Sequence, residues 1–173
     1  MKISFIWVSI PILVTCVRFI QHMFSKTCQY AIKAVIYIHK QSLEGKKVGA
    51  KEIGQEIDAP DAFTAKILQI LVRQQVVGSF KGPTGGFFVD KSHESKTLKD
   101  VVMAIDGDGL FHGCSLGLKQ CSEVNPCPLH FEVVKVRKEM DHMLTFKSIK
   151  HLAVEVIKGE TRLSQLTSLG IDN

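Results

Sequence analysis

The sequence predicts a mainly α fold with one small β-hairpin: a winged helix-turn-helix followed by a long C-terminal helix suited to dimerisation. Three observations predict it. Apolar residues recur at helical spacing over 25–41, 61–75 and 128–146. Pro60 and the polar run around it make a tight break before the helix at 61–75. Two β-branched and aromatic runs then flank KGPTGG, residues 81–86, where three glycines and a proline in six residues make a hairpin tip.

Ser25 is placed to cap the first helix, which runs to about Gln41 and buries Ala31, Ala34, Val35 and Ile38. After the polar LEGKK comes a short amphipathic helix at 48–57, with Ile53 and Ile57 inward. Asp61 suits the cap of the third helix. Thr64, Ile67, Leu68 and Leu71 sit at i, i+3, i+4 and i+7 and face the core. Ala62, Phe63, Ala65, Lys66, Gln69 and Arg73 are left outside, a face with two positive charges and no acid. That face followed at once by a hairpin fits a recognition helix and its wing better than a plain helical pair. Glycine amides at Gly82, Gly85 and Gly86, with Pro83 and Thr84 between them, let a phosphate approach closely, and Lys81 reaches a phosphate or the minor groove.

A Thr-capped helix over 97–108 ends at glycines, and a loop then holds three of the five cysteines. Cys114, Cys121 and Cys127 are separated by six and five residues, and His130 follows two residues later. An odd cysteine count with three thiols so close argues against a disulfide framework and for metal or redox chemistry in a reducing compartment. Structural zinc usually takes ligand pairs two to four residues apart, so this wider Cys3His spacing favours an iron–sulfur cluster over zinc. Three exposed thiols without a role would be an oxidation liability. Leu129, Val133, Val136, Met140 and Met143 then form an apolar stripe at alternating spacings of four and three, a seam for a partner helix.

The organisation expected is a winged helix-turn-helix at 23–92, dimerisation helices at 93–150 with the cysteine loop at 111–130, and a helix end and tail at 151–173. Ile3 to Val17 is uncharged, shorter than the roughly 20 residues that cross a bilayer, and interrupted by Pro11. Residues 1–22, including Cys16, are read as a hydrophobic extension upstream of a natural start at Met23, in preference to an anchor or a signal sequence. The 173 residues with 45% hydrophobic and 23% charged composition suit one globular domain with an added arm, and the net charge of +5 favours an anionic partner.

From Met23 onward the chain resembles the IscR-type family of bacterial winged-helix regulators, which includes the NsrR-type nitric-oxide-responsive repressors. SKTCQYAIKAVIYI is similar to that family's opening helix, VVGSFKGPTGGFFV to its wing, and C-x6-C-x5-C-x2-H to its cluster loop. The resemblance covers roughly 23–150. It implies a cytoplasmic homodimeric transcription factor that binds double-stranded operator DNA. It also implies an iron–sulfur cluster, with [2Fe-2S] the favoured type, held by Cys114, Cys121, Cys127 and His130. On the same resemblance DNA contact falls to Ser25, Lys26 and Tyr30 of the first helix, Ala62, Phe63, Thr64, Lys66 and Gln69 of the third, and 81–86 of the wing. Two departures stand out: the first cysteine gap is six where the IscR pattern has five, and Ala65 replaces an acidic residue. Cys28 lies one residue from a position where some relatives place a ligand, though a small core residue is the simpler role. Rival readings are a winged-helix regulator with structural zinc, and a membrane-anchored metal or electron-transfer protein. The histidines at 93, 112, 142 and 151 have no catalytic partners at motif spacing, so neither an enzyme nor a small-molecule substrate is expected.

Overall fold

The computed structural model describes residues 23–163; the hydrophobic run at 3–17 and the end of the expected tail lie outside them. Six helices and one hairpin are described. Helix α1 spans Lys26–Leu43, α2 Ala50–Glu56 and α3 Asp61–Arg73; strands β1 Gly78–Phe80 and β2 Gly86–Phe88 follow; then come α4 Leu98–Asp106, α5 His130–Phe146 and α6 Ile149–Ile157.

Helix α1 is the axis of the fold. Ser25 caps it by accepting from the Cys28 N–H at 3.1 Å. Ala31, Ala34, Val35 and Ile38 are buried as their spacing predicts, and burial extends to Ile36, Tyr37 and His39, because α3, α4 and α6 surround this part of the helix. Ile53 from α2, Ile57 at its C-cap, and Ile67, Leu68 and Leu71 from α3 complete the main core. Truncating Leu68 or Leu71 to alanine would cost about 2–5 kcal/mol through the cavity left behind.

Several boundaries differ from the sequence expectation. Pro60, not Asp61, holds the N-cap position of α3; Asp61 is the first helical residue, where its charge complements the helix dipole. Helix α5 begins at His130, with Leu129 as its cap, two residues later than Pro128 suggested. Residues 149–157 are not a helix end and tail. They form a separate helix capped by Ser148, and Ile149 and Ala153 enter the main core against α1.

The wing is antiparallel, with Ser79 opposite Phe87. Val48 adds one bridge to Phe87, with N···O distances of 3.1 and 2.8 Å, and so ties the hairpin to the start of α2. This pairing depends on Gly86. Its φ is 151°, and a Cβ there would stand 2.9 Å from the Val48 carbonyl oxygen.

His39 is 2% exposed, and its Nε2 has no hydrogen-bond partner among the described residues. Burial first, and then the charge of neighbouring His93 and Lys150, hold its imidazole down to about 4, although Glu94 opposes. Because protonation favours the unfolded chain, this stabilisation is complete above the ordinary value of 6.5 and is lost as pH falls from 6.5 towards 4. The expected loss is up to about 3 kcal/mol, at roughly 1.4 kcal/mol per unit. Urea unfolding across that interval checks it, and His39→Leu should flatten this part of the profile.

Candidate metal centre and nucleic-acid interface

The loop from Gly107 to Leu129 brings its thiols together. Gly107, Gly113 and Gly117 have φ of 73°, 86° and 71°, the left-handed turns that fold it back on itself. The Sγ atoms of Cys114, Cys121 and Cys127 all lie within 4.8 Å of one another. Cys114 Sγ is 3.7 Å from Cys127 Sγ, and Cys121 Sγ is 3.2 Å from His130 Nδ1. His130 Nε2 is buried without a hydrogen-bond partner among the described residues. Between these groups lies a cavity of about 30 Å³, lined also by Val133 and Arg137. That exceeds the roughly 10–15 Å³ one water-sized body needs.

Backbone N–H groups of Leu118 and Leu116 aimed at the Cys114 sulfur pull its thiol down to about 7. A backbone N–H from Cys127 acts in the same sense on Cys121, but burial and the adjacent sulfurs outweigh it and push that thiol up. Three sulfurs this close resist sharing more than one negative charge, and a cation at their centre removes that resistance. Arg137 closes the loop from α5 by donating to the Gly113 carbonyl oxygen. Nothing in the spacing of 113 and 137 announces this clasp. Three of the four expected ligands are therefore grouped, with His130 beside Cys121, and soft thiolates with one imidazole suit zinc or an iron–sulfur cluster.

Cys28 stands apart from this group. It is fully buried with Val102 and Leu144, and Phe24, Leu110 and Phe111 pack against them. Burial, reinforced by the Asp106 carboxylate, raises its thiol to about 12, so it remains a protonated core residue.

The residues expected to touch DNA fall into three groups. Lys26 is exposed in the first turn of α1 with its Nζ 5.0 Å over the Tyr30 ring, and Tyr30 meets Phe63 of α3 edge-on at 6.2 Å. Ala62, Phe63, Lys66 and Gln69 are exposed along α3. Thr64 is a correction: it is 1% exposed and its hydroxyl donates to the Pro60 carbonyl oxygen at 3.1 Å, so its side chain belongs to the core. In the wing, Lys81, Gly82, Pro83 and Thr84 are exposed at the tip, while Gly85 and Gly86 are half-buried behind it. Gly85 admits no side chain, because a Cβ would lie 2.3 Å from the Phe80 carbonyl oxygen. Sequence spacing missed Lys47. Its Nζ sits 4.6 Å over Phe80 and 5.8 Å from Phe88, adding a cation at the root of the wing, whereas neighbouring Lys46 is paired with Glu44 at 2.7 Å.

Helix α5 rests on α4 and leaves half of its apolar residues outside, with Val133, Val134 and Met140 half-buried. Leu129, Phe131, Val136, Met143 and Phe146 are exposed, and Leu144 alone is buried. Among the described residues no helix is long and apolar enough to cross a membrane.

Comparison with known proteins agrees with this geometry. Residues 24–155 match the family model described as Rrf2, iron-dependent transcriptional regulator. A protein of Aquifex aeolicus (strain VF5), named as an HTH-type transcriptional regulator, is 30% identical over 132 residues, which cover 75% of this chain and 90% of its own length. CymR, titled the global cysteine regulator of B. subtilis, superposes with a TM-score of 0.64 at 17% identity, over 76% of this chain and 95% of its own. The IscR of T. potens does so with a TM-score of 0.59 at 16% identity, over 80% and 90%. At these identities the two structures speak for the fold, a winged helix with the two-stranded hairpin described above. Regulators of this family bind DNA, are typically dimeric, and are not enzymes. The chain belongs to the Rrf2 family of transcriptional regulators.

Proposed function

We propose that the chain is a cytoplasmic, homodimeric regulator of the IscR/NsrR type, reading iron–sulfur status, redox state or nitric oxide through a cluster held by Cys114, Cys121, Cys127 and His130. The observation that carries this reading is the convergence of three thiols and an imidazole at the first turn of α5, the helix whose outer face is apolar and exposed. A [2Fe-2S] group bound there would supply a redox couple whose potential one histidine raises relative to four thiolates. The chain's own part is to present the four donors, to hold the loop shut through Arg137, and to carry any rearrangement of that loop into α5, because His130 is the first residue of the helix. Regulation then requires different DNA affinities in the two states of the loop.

At the DNA, Lys26, Lys66 and Lys81 neutralise phosphates and the tip glycines offer backbone amides. Ala62, Phe63 and Gln69 face the base edges, and Ser25 and Tyr30 set the first turn of α1 beside them. Lys81→Ala is expected to weaken binding about equally for all duplexes. It should also lower the slope of log affinity against log salt by about one, as loss of one phosphate contact does. Titration of one duplex at several salt concentrations measures both effects.

A second reading keeps the DNA binding and places one structural zinc in the loop. The close grouping of the sulfurs favours it, since a Zn–S bond of about 2.3 Å sets tetrahedral sulfurs about 3.8 Å apart, near the observed 3.7 Å between Cys114 and Cys127. An absorption spectrum of protein purified without oxygen, with iron, sulfide and zinc assayed on the same sample, separates the two. Visible charge-transfer bands with matching iron and sulfide support the sensor. Colourless protein with one zinc per chain overturns it and leaves a DNA-binding protein with a structural clip.

A further inference from the structure

We propose that Asp106 is a positioning residue that holds the DNA-facing end of α1 to the base of the thiol loop, so that the state of the loop sets operator affinity through this carboxylate. The inference rests on the sensing reading above and names the contact that would carry it.

Ser25 donates twice to Asp106 across 81 residues: its N–H to Oδ2 at 2.9 Å and its hydroxyl to Oδ1 at 2.5 Å. The same hydroxyl accepts from the Cys28 N–H, so one side chain both caps α1 and fastens it to α4. The first turn of α1 contains no acidic residue of its own. Asp106 supplies the negative charge that a helix N-terminus favours, although it sits at the C-terminal end of α4, where a carboxylate is disfavoured. That placement costs α4 something and serves α1.

The two ends of this contact have different tasks. On one side Gly107, at φ 73°, starts the loop that leads to Cys114. Leu110 and Phe111 of that loop pack with Phe24, Cys28 and Val102 in a small core separate from the main one. A shift of the loop is therefore felt at both Phe24 and Asp106. On the other side, Lys26 lies over Tyr30, and Tyr30 meets Phe63 on the exposed face of α3. The chain of contacts runs from the thiol loop through Asp106 and Ser25 to the first turn of α1 and on to the helix expected to enter the groove.

The test uses the full chain, wild type and Asp106→Asn, purified without oxygen. Each is titrated with a duplex enriched from a random pool by the wild-type protein, once with iron and sulfide assembled in the loop and once after chelation. Wild type should differ about fivefold or more between the two states, the lower range of allosteric couplings. Asp106→Asn should load iron and sulfide as wild type does while that ratio falls to within about twofold of one. Asp106→Glu, which keeps the carboxylate, should restore it. A wild-type ratio retained by Asp106→Asn overturns the positioning role alone, whereas a ratio of one in the wild type removes the sensing reading and this inference together. Should Asp106→Asn fail to fold, hydrogen exchange on the wild type decides: amides 26–30 must change protection between the two loop states, and unchanged protection overturns the proposal.

Discussion

Cys127→Ser is expected to leave the protein folded and empty its loop of metal, with iron and sulfide falling from stoichiometric to background. Cys127 is the most buried of the three loop thiols at 9% exposure, lies 3.7 Å from Cys114 Sγ, and aims its backbone N–H at Cys121. A serine hydroxyl keeps the shape but does not ionise near neutrality, and soft metals need the thiolate. The thiol belongs to neither of the two apolar cores. Loss of its packing should therefore cost about 1 kcal/mol, the usual size for a single substitution and well short of unfolding a domain. Metal analysis beside a thermal melt makes the check. Full iron content in Cys127→Ser would place the ligands elsewhere; an unfolded variant would make the loop part of the fold. The accompanying result concerns DNA: the affinity of the variant should no longer respond to oxidants or chelators, since its loop has one state only.

How much of this was legible from residue order depends on the range of each interaction. The buried faces of α1 and α3 were legible because helical spacing of Ala31, Ala34, Val35 and Ile38, or of Ile67, Leu68 and Leu71, is a local property. The wing was legible because only a turn accommodates KGPTGG. At Thr64 two readings conflict: its spacing turned it inward, as observed, while the resemblance counted it among the DNA contacts. Val48 was read as the start of a helix, and its role as a single bridge to Phe87 carries no periodic signal at all. Helix α6 was hidden for a different reason. Its apolar residues follow α5 after only Lys147 and Ser148, so two helices read as one that frays.

At the candidate site the donors were visible and the supports were not. Cys114, Cys121, Cys127 and His130 stand out by residue type, and their convergence needs only turns that glycine permits. Arg137 reaching Gly113 over 24 residues, and Ser25 reaching Asp106 over 81, are tertiary contacts between common polar residues. Spacing cannot single out such pairs. The charge logic could have hinted at the second: a helix opening with Ser25 and Lys26 and no acid in its first turn invites a carboxylate from elsewhere.

Val136→Glu is expected to convert a dimer into monomers and to lower affinity for a two-fold symmetric duplex by about 100-fold or more, the scale of avidity lost when two linked contacts become one. Val136 is 58% exposed on α5, in the middle of the stripe formed by Leu129, Val133, Val136, Met140 and Met143. Phe131 and Phe146, the latter 74% exposed, extend the apolar surface beside it. A lone chain has no reason to keep so much apolar surface in water on one helix, and two copies can cover it symmetrically. A charge at the centre of such a seam would be buried without a partner, which costs far more than the lost methyl groups. The metal content should survive, because the three grouped thiols, and His130 beside Cys121, are held within one chain and none of them lies on the stripe. Sedimentation and iron analysis on the same sample therefore report on different parts of the molecule. Monomers with full iron would locate the seam on α5 and show that each subunit builds its own centre. Monomers without iron would mean that the partner completes the site, and a dimer that persists would move the interface off this stripe, towards the cleft between α4 and α5 lined by Met103, Phe111, Val134 and Phe146.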